Sequence, residues 1–288
     1  MNASWHHTSQ DNSGTLQTLQ TIAAMAAQLR IPFLLVGAMA RDMLLEHVHD
    51  MSKERITMDV DIGVMVGSWA EFSEFSEAMS AGGFTPHPSV PHKFRSDNGV
   101  VIDVVPFGGL ADAEGFISWP PDDNPIMCVT GFDDALRHCL QVEVGAGQVV
   151  NIVSLPGLAM LKLLAWNDRR LASTKDAQDL ALLLRLYGDV ARDRLFDSES
   201  ELMERHGFDL EMAGAELLGH DIGATASEAT ARHLLSIMCE KNRGKTLNEQ
   251  LVRDVSRYLP GREYRNAETM LQCVLSGFGR ANYPDLKR

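Results

Sequence analysis

The feature that most constrains the fold is a change of pattern near Ser154. Before it, short apolar runs such as IPFLLVGA alternate with amphipathic segments such as AMARDMLLEHV. After it, apolar residues recur at helical spacing almost throughout. The pattern predicts an α/β (α+β) domain over residues 1–153, a mixed sheet flanked by helices, followed by an all-helical domain over residues 154–288. Residues 1–14 are polar and are predicted to be flexible.

Individual elements are predicted on both sides of residue 154. ADAEGFISWPPDDNP is predicted to be a loop, because two adjacent prolines exclude a regular helix there. QVEVGAGQVVNIVSL predicts one or two strands. The segments predicted as helices after residue 156 are LAMLKLLAWNDRR, KDAQDLALLLRLYG, SESELMERHG, SEATARHLLSIMCEKN, LNEQLVRDVSRYL and AETMLQCVLSGFG.

Charge is unevenly distributed along the chain, whose net charge is -13. Residues 1–150 carry 7 Lys and Arg against 19 Asp and Glu, whereas residues 241–288 carry 10 against 5. An acidic protein is a poor general binder of nucleic acid, because affinity for phosphate backbones comes from Lys and Arg. The basic segment 241–288 is therefore the natural place to hold an RNA, although a solvated helical surface explains it as well.

Neither a membrane nor an oxidising compartment is indicated. No apolar run approaches the roughly 20 residues needed to span a bilayer, and the first residues lack the regions of a signal peptide. The four cysteines, at 128, 139, 239 and 273, show no CxxC or Cys/His ligand spacing. A cytoplasmic protein with reduced thiols is expected.

Two aspartates lie one residue apart in the apolar stretch TMDVDIGVMV, residues 57–66. In an extended strand, Asp59 and Asp61 project to the same side. Two carboxylates held so close repel one another unless a cation lies between them. Because oxygen ligands favour hard ions, the pair predicts Mg²⁺ or Mn²⁺, although aspartates at strand ends and turns also produce this spacing.

A third carboxylate, Asp103, lies in the apolar run VVIDVV. Upstream of it, Asn98-Gly99 separates two extended runs and favours a two-residue hairpin turn, so Asp103 is predicted on the second arm of a hairpin. An unpartnered charge on such a strand is costly. Asp103 is therefore predicted to complete the metal site with Asp59 and Asp61, which indicates a catalytic geometry.

The stretch LLVGAMARD precedes the aspartates and predicts a strand that passes at Gly37 directly into a helix. The free backbone N–H groups of such a first turn, including that of Ala38, form a site for a phosphate group. Arg41 can add a charge-assisted contact one turn later. A glycine before a helix is by itself a weak signal, since a tight turn also requires it.

Other residues near these motifs are weaker candidates. Lys93 and Arg95, close to the hairpin, can contact a phosphate, but basic loop residues are usually only solvated. Trp119 and Trp166 are interpreted as packing residues, although Trp119 can border a nucleobase.

Together these motifs resemble the nucleotidyltransferases of the DNA polymerase beta superfamily. That pattern is a glycine turn opening a helix, Asp-x-Asp on the next strand and a third acidic residue on a later strand. Within the superfamily, LAMLKLLAW and KDAQDL resemble the AbiEii/AbiGii type of bacterial toxin–antitoxin and phage-defence systems. The motifs span residues 34–186 and leave the last hundred residues unmatched.

The resemblance implies roles for three further residues. Lys162 would face the triphosphate of a bound NTP, although a snorkelling lysine at the boundary of the two domains explains it equally well. Asp176, which is assigned with Lys162 to the nucleotide-binding residues, shares one helix face with Asp179, and Thr174 or Ser173 is the expected N-cap. The two aspartates can hold Lys162 or pair with Lys175, Arg169 or Arg170, although carboxylates favoured at a helix start explain them at least as well. The family serine after the glycine is Ala38 here, so weaker catalysis or a different substrate is expected.

These observations favour a Mg²⁺-dependent nucleotidyltransferase that transfers NMP from an NTP to a hydroxyl. The acceptor would be an RNA 3′ end, such as that of tRNA, or a partner protein, and the enzyme would be the toxin of a toxin–antitoxin or phage-defence pair with a cognate partner protein. A catalytically weak nucleotide-binding sensor or antitoxin-type partner is the alternative. A Mn²⁺-dependent glycosyltransferase explains only Asp59 and Asp61 and ranks last.

Overall fold

The computed structural model describes residues 3–4, 13–48, 59–145, 147–239 and 247–282. These residues divide into two compact units, one within Met1–Ser154 and the other within Leu155–Arg288. The first unit holds a mixed sheet with flanking helices, and the second is helical. In the described residues, no helix combines the length and apolar character that a bilayer crossing requires.

An eight-stranded mixed sheet forms the centre of the first unit, in the order β1-β9-β10-β2-β3-β6-β5-β4. Parallel pairs join β1 to β9, β10 to β2 and β3 to β6, and the other neighbours are antiparallel. A separate two-stranded sheet joins β7 and β8. The strands are β1 Ala3–Ser4, β2 Phe33–Val36, β3 Val60–Val66, β4 Phe84–Pro86, β5 Lys93–Ser96, β6 Val101–Gly108, β7 Phe116–Ser118, β8 Ile126–Cys128, β9 Leu140–Glu143 and β10 Val149–Ile152.

Helices cover the sheet of the first unit, and the second unit contains helices throughout. The helix after β2 continues as one π-helical turn over Leu44–Val48. The helices are α1 Ser13–Leu29, α2 Gly37–Met43, α3 Trp69–Ala81, α4 Phe132–Arg137, α5 Leu155–Arg169, α6 Lys175–Val190, α7 Arg192–Phe196, α8 Ser200–Arg205, α9 Leu210–Thr225, α10 Glu228–Met238, α11 Glu249–Ser256 and α12 Tyr264–Asn282.

The two faces of the central strands differ in burial, which sets where polar groups can lie. On β3, Val60, Ile62 and Val64 are fully buried, whereas Asp61 on the opposite face is partly exposed. β6 alternates in the same way, with Ile102 and Val104 buried on one face. Such alternation is what a strand with one covered face requires. The more open face carries the aspartates.

Two predictions about elements were wrong. The segment ADAEGFISWPPDDNP was predicted to be a loop, but its FIS triplet forms β7 and pairs with β8 across the prolines. The central helix α9 was absent from the predicted helices. Its three glycines weaken helix propensity, and burial along the helix replaces the amphipathic pattern by which helices are found.

Parts of some predicted segments fall outside the described residues. In the segment 1–14, predicted to be flexible, Ala3–Ser4 pairs with β9 and residues 13–14 begin α1, while the other residues are not described. The start of the predicted strand before Asp59 and residues 241–246 and 283–288 of the basic segment also lie outside the described residues.

Candidate active site

Gly37 allows the end of β2 to lie against Asp61 of β3. Its φ of +72° lies in the left-handed region, where only glycine is unstrained. A Cβ at Gly37 would lie 2.0 Å from Oδ2 of Asp61, so any other residue would collide with that carboxylate. The glycine therefore allows the Asp61 carboxylate to lie directly against the backbone turn that starts α2.

Asp61 and Asp103 are direct neighbours across the sheet. β3 and β6 are parallel, and the register pairs Asp61 with Asp103. On the other side of β6, the antiparallel register pairs Asp103 with Lys93 of β5. Because directly paired residues project to the same face, the three charged side chains form a row across three adjacent strands.

Asp59 lies one residue before β3 and is exposed. The predicted strand that would carry both aspartates thus begins after the first of them. In the part of the chain that the structure describes, no three His, Cys, Asp or Glu side chains are grouped as a metal site. The structure therefore brings Asp61 and Asp103 together, whereas a joint role for Asp59 stays a prediction.

The Asp103 carboxylate has an ion pair with its cross-strand neighbour. The Lys93 Nζ lies 3.3 Å from Asp103 Oδ1, with both side chains about a third exposed or less. That oxygen is itself shielded from solvent and accepts no hydrogen bond from the described residues. The Lys93 ammonium is thus the positive charge that partly neutralises the Asp103 carboxylate.

His92 lies beside this pair and packs on an aromatic cluster. Its ring centroid is 5.6 Å from that of the buried Trp119, which also packs on Trp69 and Phe72. Burial lowers the pKa of His92, and the Lys93 charge lowers it further, while Asp103 acts in the opposite direction. His92 is therefore neutral near pH 7, and Trp119 has the packing role predicted for it.

The donor chemistry of this face fits a hard divalent cation. Asp61 and Asp103 supply carboxylate oxygens at adjacent positions, with Asp59 at the strand entrance. Mg²⁺ typically takes one or two carboxylates and completes its shell with water and substrate phosphates. The shielded Asp103 oxygen, which accepts no hydrogen bond from any residue that the structure describes, is also suited to a cation.

Ala38 and Arg41, the residues predicted to bind phosphate in the first unit, differ from each other in their surroundings. Ala38 follows Gly37 in the first turn of α2, where it offers a backbone N–H and no hydroxyl. Arg41 is buried, and its Nε and Nη2 donate to Asp42 Oδ1 at 2.8 and 2.6 Å. A phosphate contact by Arg41 stays a prediction and would require this guanidinium to share its donors.

Lys162 and Asp176 belong to a buried ion cluster in the second unit. Lys162 Nζ lies 2.6 Å from Asp179 Oδ2 and 3.2 Å from Asp176 Oδ1. Arg169 donates to both oxygens of Asp176, at 2.6 and 2.8 Å. Two of the alternatives given for the aspartates are therefore observed, since they hold Lys162 and Asp176 also pairs with Arg169. A contact of Lys162 or Asp176 with a bound nucleotide stays a prediction.

The start of α6 differs from the expected capping. Thr174 occupies the N-cap position, but its side chain accepts no capping hydrogen bond. Its hydroxyl instead accepts a hydrogen bond of 2.6 Å from Tyr258. The hydroxyl of Ser173 accepts from the backbone N–H of Lys175 at 3.3 Å, which is a local turn contact.

Lys93 lies closer to the candidate site than the sequence indicated. The expected two-residue turn at Asn98-Gly99 would place Phe94 opposite Asp103. The turn instead has three residues, 97–99, because Ser96 N donates to Val100 O at 2.9 Å and Gly99 adopts φ +88°. A loop one residue longer shifts the register by one position and brings Lys93 against Asp103.

Comparisons with known proteins give low similarities. No family model matches the sequence, and no curated protein matches it. Among solved structures, the antibiotic-resistance factor ANT(2'')-Ia is 16% identical, over 68% of this chain and 98% of that chain, with a TM-score of 0.39. An antigenic nucleotidyltransferase-like protein from Paracoccidioides brasiliensis is 17% identical, over 70% and 93%, with a TM-score of 0.39.

A further similar structure is the CCA-adding enzyme of Thermotoga maritima complexed with tRNA. It is 12% identical, over 96% of this chain and 83% of that chain, with a TM-score of 0.25. These TM-scores are too low for overall superposition to carry a functional argument. The function is therefore inferred from the neighbouring carboxylates Asp61 and Asp103 and from the Gly37 turn beside them.

Proposed function

We propose that the protein is a metal-dependent nucleotidyltransferase that transfers NMP from an NTP to a hydroxyl acceptor. The observation that carries this proposal is the pairing of Asp61 with Asp103 on adjacent strands, with Gly37 leaving room for the Asp61 carboxylate. The motif order and its resemblance to the DNA polymerase beta superfamily support it. The role as a toxin of the AbiEii/AbiGii type, with a cognate partner protein, rests on the resemblance of the LAMLKLLAW and KDAQDL segments.

The chain's own residues would divide the chemistry among them. Asp59, Asp61 and Asp103 would hold Mg²⁺ or Mn²⁺, which supplies neutralising charge for the phosphates when bound. Asp103 would accept the proton of the acceptor hydroxyl, whose oxygen attacks the α-phosphorus while the bond to pyrophosphate breaks. The first-turn N–H groups after Gly37 would donate to a phosphate oxygen of the NTP.

The decisive experiment measures label transfer. The protein is incubated with each of the four α-³²P-labelled NTPs, Mg²⁺ or Mn²⁺, and either total cellular RNA or a lysate protein fraction. We expect labelled RNA or protein with the unaltered chain, and loss of label with EDTA or with Asp61→Asn. Asp197→Asn, which removes one exposed carboxylate in the second unit, is the matched control and should transfer normally.

A second candidate function is nucleotide binding without turnover. The cations predicted to bind phosphate are already engaged, Arg41 with Asp42 and Lys162 with Asp176 and Asp179, and Ala38 lacks a hydroxyl. NTP binding by calorimetry with no transfer to any acceptor would favour this sensor or partner role. Label transfer that persists in Asp61→Asn would instead contradict the assigned active site itself.

A further inference from the structure

The Lys93–Asp103 pair has a geometry that allows another cation to replace the Lys93 ammonium. The two side chains are 35% and 26% exposed, and the 3.3 Å separation is longer than that of a good charge-assisted hydrogen bond. In contrast, the Lys162–Asp179 pair is 2.6 Å long, with about a tenth of each side chain exposed. Lys93 therefore holds Asp103 mainly through charge and can leave it at little cost.

The position of Asp103 explains why it needs a cation at all. It is the direct cross-strand neighbour of Asp61, and two carboxylates so placed repel one another. Its shielded oxygen accepts no hydrogen bond from the described residues. Without the Lys93 ammonium, the Asp103 carboxylate would bind another cation more strongly.

We propose that Lys93 is the resident counter-cation of Asp103, displaced by a divalent cation, and that this competition weakens the metal affinity of the third carboxylate. This inference rests on the proposed function, since it takes Asp59, Asp61 and Asp103 as the metal ligands. Lys93 is then a positioning residue that keeps Asp103 neutralised in the free protein. A lysine suits this exchange, because its flexible stem lets the ammonium move into solvent.

The test is the binding of Mn²⁺ alone, followed by electron paramagnetic resonance of the free ion. Lys93→Met and Lys93→Gln remove the competing charge, so Mn²⁺ should bind about fivefold more tightly than to the unaltered chain, which corresponds to about 1 kcal/mol. Lys93→Arg keeps the charge and should leave the affinity unchanged or weaker. Circular dichroism establishes that each variant is folded. The second neutral substitution keeps the test possible if the first variant does not fold.

A matched control distinguishes direct competition for Asp103 from a general change in the electrostatic potential around the site. Arg95 is exposed two residues further along β5 on the same face, and its register partner is Val101 instead of Asp103. Arg95→Met removes the same charge and should change Mn²⁺ affinity by less than about twofold. Equal tightening in Arg95→Met and Lys93→Met would overturn the proposal, as would unchanged or weaker binding in Lys93→Met.

Failure of this inference and failure of the proposed function give different results. If Mn²⁺ binds the unaltered chain and Asp61→Asn abolishes binding, but Lys93→Met changes nothing, only the competition is wrong. If neither the unaltered chain nor Lys93→Met binds Mn²⁺, the metal site is wrong and the inference falls with it.

Discussion

At the scale of single residues, the candidate site depends on one backbone conformation and one register. Gly37 has both a positive φ and a close approach to Asp61. The two requirements act on different quantities, since the φ affects stability and the approach affects the position of a carboxylate. The two effects can therefore be separated by comparing alanine substitutions at Gly37 and Gly99.

Gly37→Ala should abolish label transfer. The new Cβ would lie 2.0 Å from Asp61 Oδ2, which forces the carboxylate away, and a left-handed alanine costs about 1–2 kcal/mol. Gly99→Ala is the matched control, because Gly99 has φ +88° and a Cβ added there would meet no heavy atom within 4 Å. It should lose similar stability and keep its activity; equal activity losses would show that strain alone is responsible.

The buried Asp176 should make stability depend on acid pH. Burial acts to raise its pKa, but hydrogen bonds from Arg169 and the charges of Lys162 and Arg169 outweigh burial and hold the pKa below its ordinary value. A depressed folded-state pKa stabilises the fold above the unfolded value of about 3.9, and that contribution is lost as pH falls through the folded pKa.

Asp176→Asn should therefore lower the free energy of unfolding by about 3 kcal/mol at pH 7, because Lys162 and Arg169 lose a buried partner. The variant should also lose less stability than the unaltered chain between about pH 5 and pH 2, because it has no carboxylate to protonate at this position. Hydrogen exchange across α5 and α6 measures the effect locally. Asp189→Asn, which breaks an exposed pair with Arg192, should cost less than about 0.5 kcal/mol.

At the scale of elements, close helix contact in the second unit depends on glycines. A Cβ at Gly277 of α12 would lie 1.8 Å from the backbone oxygen of Glu216 in α9, and one at Gly219 of α9 would lie 2.0 Å from the oxygen of Val274. Gly214 and Gly188 meet in the same way between α9 and α6. The glycines that weaken α9 as an isolated helix are thus the residues that let it pack at the centre of its unit.

Gly277→Ala should destabilise the second unit by about 3 kcal/mol, because backbone atoms of α9 must move to admit a methyl group. Gly279→Ala on the same helix is the control. A Cβ there meets no heavy atom within 4 Å, so it should stabilise the protein by about 0.5–1 kcal/mol through helix propensity. Urea unfolding of both variants measures the difference, and equal effects would contradict close packing as the cause.

At the scale of the whole molecule, charge is divided along the chain in a way that bears on the acceptor. The acidic first 150 residues disfavour a polyanion, and the basic segment 241–288 favours one. If RNA is the acceptor, its affinity should fall steeply as salt rises, by about 0.7 log units per log unit of salt for each phosphate neutralised.

Arg265→Ala should then weaken binding of a single-stranded RNA and reduce this salt slope by about one phosphate contact. Arg265 is exposed on α12 in the basic segment. Arg192→Ala, an exposed arginine outside that segment, should leave the slope unchanged. A slope that does not respond to Arg265 would indicate that the basic segment is only a solvated surface.

The sequence by itself determined the mixed α/β unit, the change to helices near Ser154 and the identity of the charged residues, because periodicity and composition are local properties. It indicated the Asp61 and Asp103 strands through apolar runs that carry a charge. Tertiary structure alone decided that α9 is a helix, since burial on all sides offsets its poor propensity. It also decided that Lys93 faces Asp103, because one additional residue in a turn shifts an antiparallel register and exchanges the faces of the strand.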